Sequence, residues 1–200
     1  MVINLVVATK NPGKIREIRA LLEGLGYRIL SLEDFPQFPP VEERGETFLE
    51  NALEKARAAA RYTGEMALAD DSGLEVEALG GAPGVRSARF GGQGLTDADR
   101  NRLLLEKLRG VPMEERKARF RCVMALVTPG GEEYVVEGTC EGYIAMEPLG
   151  DHGFGYDPVF YLPRYGKTMA QLPPEEKNRI SHRAKALAGI REVLERLARR

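Results

Sequence analysis

The sequence predicts an α/β fold built on a mixed sheet, and three observations carry this prediction. The chain opens with a strand, a polar loop, a helix and a second strand, the order of a parallel β–α–β unit. Two long strand candidates, 117–127 and 133–146, are joined at Pro129-Gly130-Gly131, which is typical of an antiparallel hairpin. Helical patterns separate the strands. The hairpin is predicted to extend the first sheet or to form a second sheet region, giving two lobes around a cleft.

In the N-terminal half, the first strand is predicted over 4–8. Ile15, Ile18, Leu21, Leu22 and Leu25 then recur at helical spacing, and Gly26 is placed to end that helix. A second strand follows at 27–32. A polar loop therefore lies between the carboxyl end of a strand and the start of a helix, the usual ligand position in α/β sheets.

The middle of the chain alternates helices with irregular segments. A helix at 47–62 follows a proline-rich stretch, and a short strand at 66–69 runs into Asp70-Asp71-Ser72-Gly73, which is typical of a turn. Residues 80–94 are predicted to be a glycine-rich loop. Thr96 and Asp99 form a capping pattern that opens a helix to about residue 108.

Beyond the hairpin, a glycine-rich loop is predicted at 150–158 and a short strand at 159–162. Residues 163–174 are expected to be irregular. Ser181 is placed to cap a last helix, whose apolar stripe includes Leu187 and Ile190.

Size and charge limit the function classes. At 200 residues and 43% hydrophobic, the chain is predicted to form a single α/β domain over 1–200. Its 29 basic and 30 acidic residues give a net charge of −1, which argues against a nucleic-acid binder. Its longest apolar runs, such as 123–127, are too short to cross a membrane.

The sequence favours a cytoplasmic protein. Its first residues, Met1–Asn4, enter a strand-like run without a charged segment and cleavage site, so no signal peptide is expected. Cys122 and Cys140 have neither metal-ligand nor redox spacing, and both are expected to be buried strand residues.

Several segments carry candidate chemistry. Residues 9–14 (Thr-Lys-Asn-Pro-Gly-Lys) place hydroxyl, amide and lysine donors at a helix N-terminus, suited to phosphate oxygens, although they lack the Walker A spacing. Asp70 and Asp71 would point to opposite sides of a strand, so that one is able to hold a hard cation such as Mg²⁺. Glu42 or Glu43 would supply a second carboxylate.

Two segments near the C-terminus would complete a nucleotide site. Residues 153–158 (Gly-Phe-Gly-Tyr-Asp-Pro) set two aromatic rings between glycines, which suits stacking against a flat base. Lys177 and Ser181-His182-Arg183 add donors at the start of the last helix. Taken singly, each of these segments is equally compatible with an ordinary turn, cap or solvated side chain.

Six motifs, in this order and spacing, resemble those of the inosine triphosphate pyrophosphatases nearly end to end. They are Ala8-Thr9-x-Asn11-x-x-Lys14, Glu50-Asn51-Ala52 with Lys55-Ala56, Ala69-Asp70-Asp71-Ser72-Gly73-Leu74, Gly80-Gly81-Ala82-Pro83-Gly84-Val85 with Ser87-Ala88-Arg89, Gly153-Phe154-Gly155-Tyr156-Asp157-Pro158, and Ser181-His182-Arg183. The resemblance implies hydrolysis of non-standard purine nucleoside triphosphates (ITP, dITP, XTP) to the monophosphate and pyrophosphate. It also implies an elongated mixed sheet with flanking helices in two lobes, an active-site cleft between them, Mg²⁺ as cofactor and a homodimer.

The resemblance assigns roles residue by residue. Asp71 is implied as the catalytic acid–base residue and a metal ligand, with Glu42 as the second metal ligand and Glu43 as the alternative. The implied substrate-binding residues are Thr9, Lys10, Asn11, Pro12, Gly13 and Lys14 at the triphosphate, together with Ser72, Phe154, Gly155, Tyr156, Asp157, Lys177, His182 and Arg183. Donors from His182 or Arg183 are expected to bond the 6-oxo group of the base and to disfavour adenine. Replacing Arg183 is therefore expected to impair turnover far more than folding.

Three alternatives stay open at this point. A related pyrophosphatase of the Maf type would act on pyrimidine or modified nucleotides, but its N-terminal loop carries Ser and Arg where this chain has Thr9, Asn11 and Lys14. A nucleotide sensor would not need the acidic residues at 42 and 71. A nucleic-acid-binding protein fits poorly with the neutral charge balance, and neither nucleic acid nor membrane is expected as a partner.

Overall fold

The computed structural model describes residues 2–199, whose strands form one mixed seven-stranded sheet. The strands are β1 (Ile3–Val7), β2 (Tyr27–Ser31), β3 (Met66–Val76), β4 (Lys117–Val127), β5 (Glu133–Ile144), β6 (Phe160–Leu162) and β7 (Lys167–Thr168). They lie in the order β2-β1-β3-β4-β5-β6-β7. β1 runs parallel to β2 and β3, whereas β6 pairs antiparallel with β5 and β7. The predicted fold class, α/β with a mixed sheet, is confirmed, and the hairpin extends the first sheet.

The helices are α1 (Pro12–Leu22), α2 (Phe48–Thr63), α3 (Asp97–Lys107), α4 (Pro174–Ile180) and α5 (His182–Leu197). Polar side chains start three of them, because Asn11, Thr47 and Thr96 each accept hydrogen bonds from first-turn N–H groups of α1, α2 and α3. Gly64, with φ of 71°, ends α2 in the left-handed conformation that glycine adopts most readily. No helix among residues 2–199 is long and apolar enough to cross a membrane.

The chain divides into two compact units. The first unit comprises the residues up to Asp71, Cys122–Gly138 and the segment from Arg183 onward, and the second comprises Ser72–Arg121 and Thr139–His182. The core of the first unit joins β1, β3 and β4 to helices α1 and α5. The core of the second unit includes residues of α3, β4, β5 and β6. The predicted single domain over 1–200 and the predicted cleft stay predictions.

Strand β3 corrects the prediction of a short strand followed by an aspartate-rich turn. It continues for 11 residues, and Asp70 and Asp71 lie in its interior, both buried. Adjacent carboxylates favour a turn only where nothing compensates for the loss of their hydration. Here buried cations and amide donors compensate, so the strand runs on.

The segment predicted to be irregular at 163–174 also differs. It contains β7, and α4 begins at Pro174 directly after the N-cap Pro173. Proline is tolerated in the first turn of a helix, where its missing N–H would have no partner. The two buried cysteines were correctly placed, because Cys122 and Cys140 are both buried and free.

Candidate active site

The loop between β1 and α1 is fixed by its own polar groups. The N–H of Ala8 donates to the Leu68 carbonyl at 2.8 Å, which holds the end of β1 against β3. The side-chain oxygen of Asn11 accepts from the N–H groups of Gly13 and Lys14 at 2.9 and 3.2 Å. Asn11 in turn donates its own N–H to Thr9 Oγ1 at 3.1 Å. The loop therefore lies at the positive end of a helix dipole, where phosphate oxygens bind readily.

Asp70 anchors the lysine of this loop. Its Oδ2 atom lies 3.1 Å from Lys14 Nζ and accepts a hydrogen bond from Arg183 Nη2 at 3.3 Å. Arg183 Nη1 lies 2.5 Å from Glu17 Oε2. Burial alone would raise the pKa of Asp70, but the charges of Lys14, Arg183 and Lys55 outweigh it and hold that pKa well below its usual range. Asp70 is thus a permanent buried anion that fixes the Lys14 ammonium beside the loop.

Asp71 has the opposite electrostatic character. Asn51 Nδ2 donates to Asp71 Oδ2 at 2.9 Å, and the orientation of that amide is set by the Gly45 N–H, which donates to Asn51 Oδ1 at 2.8 Å. Burial raises the pKa of Asp71 to about 6, and the charge of Glu43 adds to the rise, although Lys55 and Asn51 oppose it. A carboxylate with a pKa near neutrality is a competent proton acceptor at physiological pH.

The two candidate glutamates lie in different environments. Lys55 Nζ lies 2.9 Å from Glu43 Oε1 and donates to the Asp70 carbonyl at 2.6 Å. Burial would lower the pKa of Lys55, but the charges of Asp70, Glu43 and Asp71 raise it, so the lysine stays cationic. The Glu42 side chain is 67% exposed and pairs with the exposed Arg44. Glu43 is therefore held by the lysine that also contacts the Asp70 backbone, whereas Glu42 lies at the surface.

The loop at 153–158 in the second unit, here called the aromatic loop, is built around a buried ion pair. Asp157 Oδ2 accepts from Lys177 Nζ at 2.6 Å and from the Phe154 N–H at 3.0 Å. The Lys177 ammonium also lies 4.6 Å from the centre of the Phe154 ring. One residue before Asp157, the Tyr156 hydroxyl donates to the Ser87 carbonyl at 2.6 Å. These contacts fix the backbone and one ring face of the loop.

His182, the second polar residue of the C-terminal motif, lies in the same unit. Its imidazole stacks on Phe120 with ring centres 4.7 Å apart and planes 13° from parallel. It is 4% exposed. The flat contact fixes the plane of the ring, so that its two nitrogens have a defined direction.

The comparisons with known proteins decide the family. The sequence profile of the Ham1 family matches residues 5–193. The chain belongs to the Ham1 family. This confirms the resemblance drawn from the six motifs.

Individual Ham1 relatives match along nearly their whole length. The chain is 57% identical to the dITP/XTP pyrophosphatase of Geobacillus kaustophilus over 193 residues, which cover 96% of this chain and 95% of the relative. It is 55% identical to the enzyme of the same name from Desulforamulus reducens, with 96% of each chain covered. Among solved structures, a HAM1 protein from Coxiella burnetii matches with a TM-score of 0.88 and 45% identity, covering 96% of this chain and 98% of that one.

In this Ham1 chain the predicted site residues fall in both units. The first unit brings together the loop at 9–14, Asp71 and Arg183, and it also holds Glu42 at its surface. The second unit brings together Phe154, Gly155, Tyr156, Asp157 and Lys177, and it also contains Ser72 and His182. Arg183 differs from its expected behaviour. The residue is 1% exposed and its guanidinium is engaged with two carboxylates, which argues against the expectation that its replacement leaves folding largely intact.

Three residues around the aspartate pair were assigned no individual role by the sequence prediction. Asn51 and Lys55 contact Asp71 and the Asp70 backbone, and Glu17 holds Arg183. A signal was present for the first two, because positions 51 and 55 are four apart on α2 and therefore share a helix face. Glu17 carries no such signal, since its partner is 166 residues away in the sequence.

Proposed function

We propose that this Ham1 chain hydrolyses non-standard purine nucleoside triphosphates, dITP, ITP and XTP, between the α- and β-phosphates. The products are the nucleoside monophosphate and pyrophosphate, and the consequence is that deaminated purines are kept out of DNA and RNA. The observation that carries the proposal is the pair of adjacent aspartates on β3. Asp70 anchors Lys14 of the loop at 9–14, here called the phosphate-type loop, and burial raises the pKa of Asp71 to about 6. The names of relatives at 55–57% identity support it.

The donor set fits Mg²⁺. Residues 2–199 contain no group of three or more His, Cys, Asp or Glu side chains that would enclose a metal by themselves. Mg²⁺ is commonly held by only one or two carboxylates, with phosphate oxygens and water completing its coordination. We assign Asp71 and Glu42 as its protein ligands, with Glu43 as the alternative. When bound, the ion supplies positive charge to the phosphate oxygens.

The chain's own residues account for the proton and the leaving group. The N–H groups of residues 9–14 and the Lys14 ammonium bind and orient the triphosphate. Asp71 accepts a proton from the water that attacks the α-phosphorus. A new P–O bond forms to that water oxygen, the bond from the α-phosphorus to the bridging oxygen breaks, and pyrophosphate leaves with the bonding electrons. Asn51 orients the accepting carboxylate through its hydrogen bond to Asp71 Oδ2.

Recognition of the base is assigned to the second unit. The Lys177 ammonium lies over the Phe154 ring, and we propose that the nucleobase stacks on the opposite face of that ring. His182 is proposed to donate to the 6-oxo group of hypoxanthine or xanthine, which adenine replaces with an amino donor. Ser72, Gly155, Tyr156, Asp157 and Arg183 complete the proposed substrate-binding set.

We also propose that the protein acts in the cytoplasm as a homodimer. The two free, buried cysteines suit a reducing compartment. The dimer rests on the resemblance stated above. Its direct test is the mass of the protein in solution, by light scattering, against the 22.1 kDa of a single chain.

A nucleotide panel tests the reaction. ITP, XTP, dITP, GTP, ATP, CTP and UTP are each incubated with and without Mg²⁺, and the monophosphate, diphosphate, phosphate and pyrophosphate are resolved by chromatography. We expect IMP, dIMP and XMP with pyrophosphate, only in the presence of metal, and little product from ATP. A diphosphate with phosphate would place the cleavage at another bond and refute the mechanism. Faster turnover of CTP or UTP would favour the Maf-type alternative.

The assignment of the second metal ligand predicts a difference between two neighbouring glutamates. Glu42 pairs with an exposed arginine, an interaction that is weak in water, whereas Glu43 is held by the largely buried Lys55. Glu42→Gln is therefore expected to raise the Mg²⁺ concentration for half-maximal activity by about tenfold or more. Glu43→Gln is the matched control and should shift it less. Magnesium titrations of both variants at saturating dITP measure the difference, and the reverse order would make Glu43 the ligand.

A further inference from the structure

Helix α3 holds one residue of the aromatic loop by both of its backbone groups. The Gly155 N–H donates to Asp97 Oδ2 at 2.9 Å, and Asn101 Nδ2 donates to the Gly155 carbonyl at 3.1 Å. Asp97 and Asn101 are four residues apart on α3 and so lie on the same helix face. Helix and loop are 54 residues apart in sequence. A single helix face thus clamps the residue between Phe154 and Tyr156.

Asn101 is an energetically unfavourable residue at this position. It is 3% exposed, and its Oδ1 atom is buried with no hydrogen-bond partner within residues 2–199. An amide oxygen buried without a partner destabilises a fold, and an aliphatic side chain would fill the same space without that penalty. The hydrogen bond that the amide makes to the Gly155 carbonyl accounts for its presence. Packing alone does not account for an asparagine at this position.

The clamp acts where the loop has the most conformational freedom. Gly155 has φ of 62°, in the left-handed region that non-glycine residues rarely adopt. The residues on either side have their own anchors, since the Phe154 N–H donates to Asp157 and the Tyr156 hydroxyl donates to Ser87. With Gly155 also held, three consecutive residues are anchored, Phe154 and Gly155 through backbone groups and Tyr156 through its hydroxyl.

We propose that Asp97 and Asn101 are positioning residues for the nucleobase: they hold Gly155 so that the Phe154 and Tyr156 rings keep their binding geometry before the nucleotide arrives. The inference rests on the proposed function and extends it to two residues outside the motifs of the site. A preformed wall removes the entropy loss that ordering the loop would add to binding. The effect falls on substrate affinity, because the proton acceptor Asp71 lies elsewhere in the chain. In kinetic terms, KM carries the effect and kcat does not.

Two alanine variants and one conservative variant test the proposal. Asp97→Ala and Asn101→Ala are each expected to raise KM for dITP about tenfold, the equivalent of 1.4 kcal/mol, with kcat changed less than about twofold. Asp97→Asn keeps an oxygen that accepts the Gly155 N–H, so its KM is expected within about threefold of wild type. A second readout needs no substrate. The Gly155 amide proton, followed by NMR hydrogen exchange, should lose protection in Asp97→Ala and keep it in Asp97→Asn.

The matched control weakens the same helix without touching the loop. Asp99 accepts from the Thr96 N–H at 2.9 Å in the capping box of α3. Asp99→Ala should therefore lower the melting temperature while leaving KM for dITP unchanged. If Asp99→Ala raises KM as much as Asn101→Ala does, the effect is general to helix stability and the positioning role is refuted. An unchanged KM in both Asp97→Ala and Asn101→Ala refutes it as well.

Different measurements decide the proposed hydrolysis and the positioning role of Asp97 and Asn101. Turnover of dITP by the wild-type protein decides the proposed function, whereas the ratio of variant to wild-type KM decides the positioning role. If the wild type binds dITP without turnover, its dissociation constant from calorimetry replaces KM in the same comparison. If the wild type neither hydrolyses nor binds dITP, both inferences are wrong, even where the Gly155 amide is protected.

Discussion

Replacing Asp71 by asparagine is expected to abolish pyrophosphate release and, in the absence of divalent metal, to raise the melting temperature. The amide has nearly the same shape and still offers an oxygen to Asn51 Nδ2, but it cannot accept a proton from water. We expect turnover of dITP to fall at least about a thousandfold, at the strong end of general-base effects. Turnover within tenfold of the wild type would remove Asp71 from its catalytic role.

The stabilising part of this prediction follows from the sign of the pKa shift. Burial raises the pKa of folded Asp71 from 3.8 to about 6, so folding favours the protonated carboxyl. The contribution of Asp71 to the stability of the wild type is therefore greatest below pH 4, and it declines as the pH rises from 4 to 6. A neutral asparagine escapes this decline, a gain of up to about 3 kcal/mol at pH 8.

Thermal unfolding of Asp71→Asn and wild type in EDTA, at pH 4.5 and pH 8, measures this difference. The variant should exceed the wild type at pH 8, with the gap narrowing at pH 4.5. Asp70→Asn is the internal comparison, because neighbouring cations lower the pKa of Asp70 and its ionised form stabilises the fold. That variant should therefore unfold more easily at pH 8. Equal melting temperatures for the two variants at pH 8 would contradict the inference that the pKa values of Asp70 and Asp71 are shifted in opposite directions.

Replacing Arg183 by alanine is expected to give the largest loss of stability. Arg183 is 1% exposed and its guanidinium contacts Glu17 and Asp70, and the Asp70 side chain is itself fully buried. Removing Arg183 takes the guanidinium from Glu17 and leaves Asp70 with Lys14 as its ion-pair partner, and breaking a buried ionic network in this way costs about 3–5 kcal/mol. For a chain of this size, that is a fall of roughly 6–20 °C in melting temperature.

An arginine on the same helix provides the matched control. Arg191 pairs with Glu195 at 3.2 Å at the surface of α5, with both side chains about half exposed. Arg191→Ala should change the free energy of unfolding by less than about 0.5 kcal/mol. Denaturant titration of both variants separates the two arginines. If Arg183→Ala unfolds within 1 kcal/mol of the wild type while losing activity, then Arg183 acts on the substrate and not on the fold.

The sequence was most informative where one physical pattern dominated. The bounds of β4 were predicted correctly, because alternating burial over 117–122 leads into a continuous apolar run before a clear turn. The N-terminus of α3 was likewise evident, since Thr96 and Asp99 form a capping box within four residues. Patterns of this kind depend only on neighbours in the chain.

The features that the sequence did not predict mostly depend on residues far away in the chain. β3 was predicted to end before Asp70, because the cations that make a buried aspartate tolerable come from α1 and from the start of α5. Asp97 and Asn101 carried no visible link to Gly155, their partner far along the chain. Helix α4 was missed because its seven residues, the first of which is Pro174, are too few for a periodic pattern. Contacts between distant segments leave no local trace in one sequence.

The three-segment composition of the first unit has a consequence for protein synthesis. A ribosome releases the loop at 9–14 and both aspartates before it releases Arg183 and the core leucines of α5. Until then Asp70 and Glu17 have no guanidinium beside them, and one side of the core is open. A chain released before residue 183 would carry Asp70 and Asp71 without the third segment of the unit that encloses them. The first unit therefore cannot be completed until the third of its segments has been made.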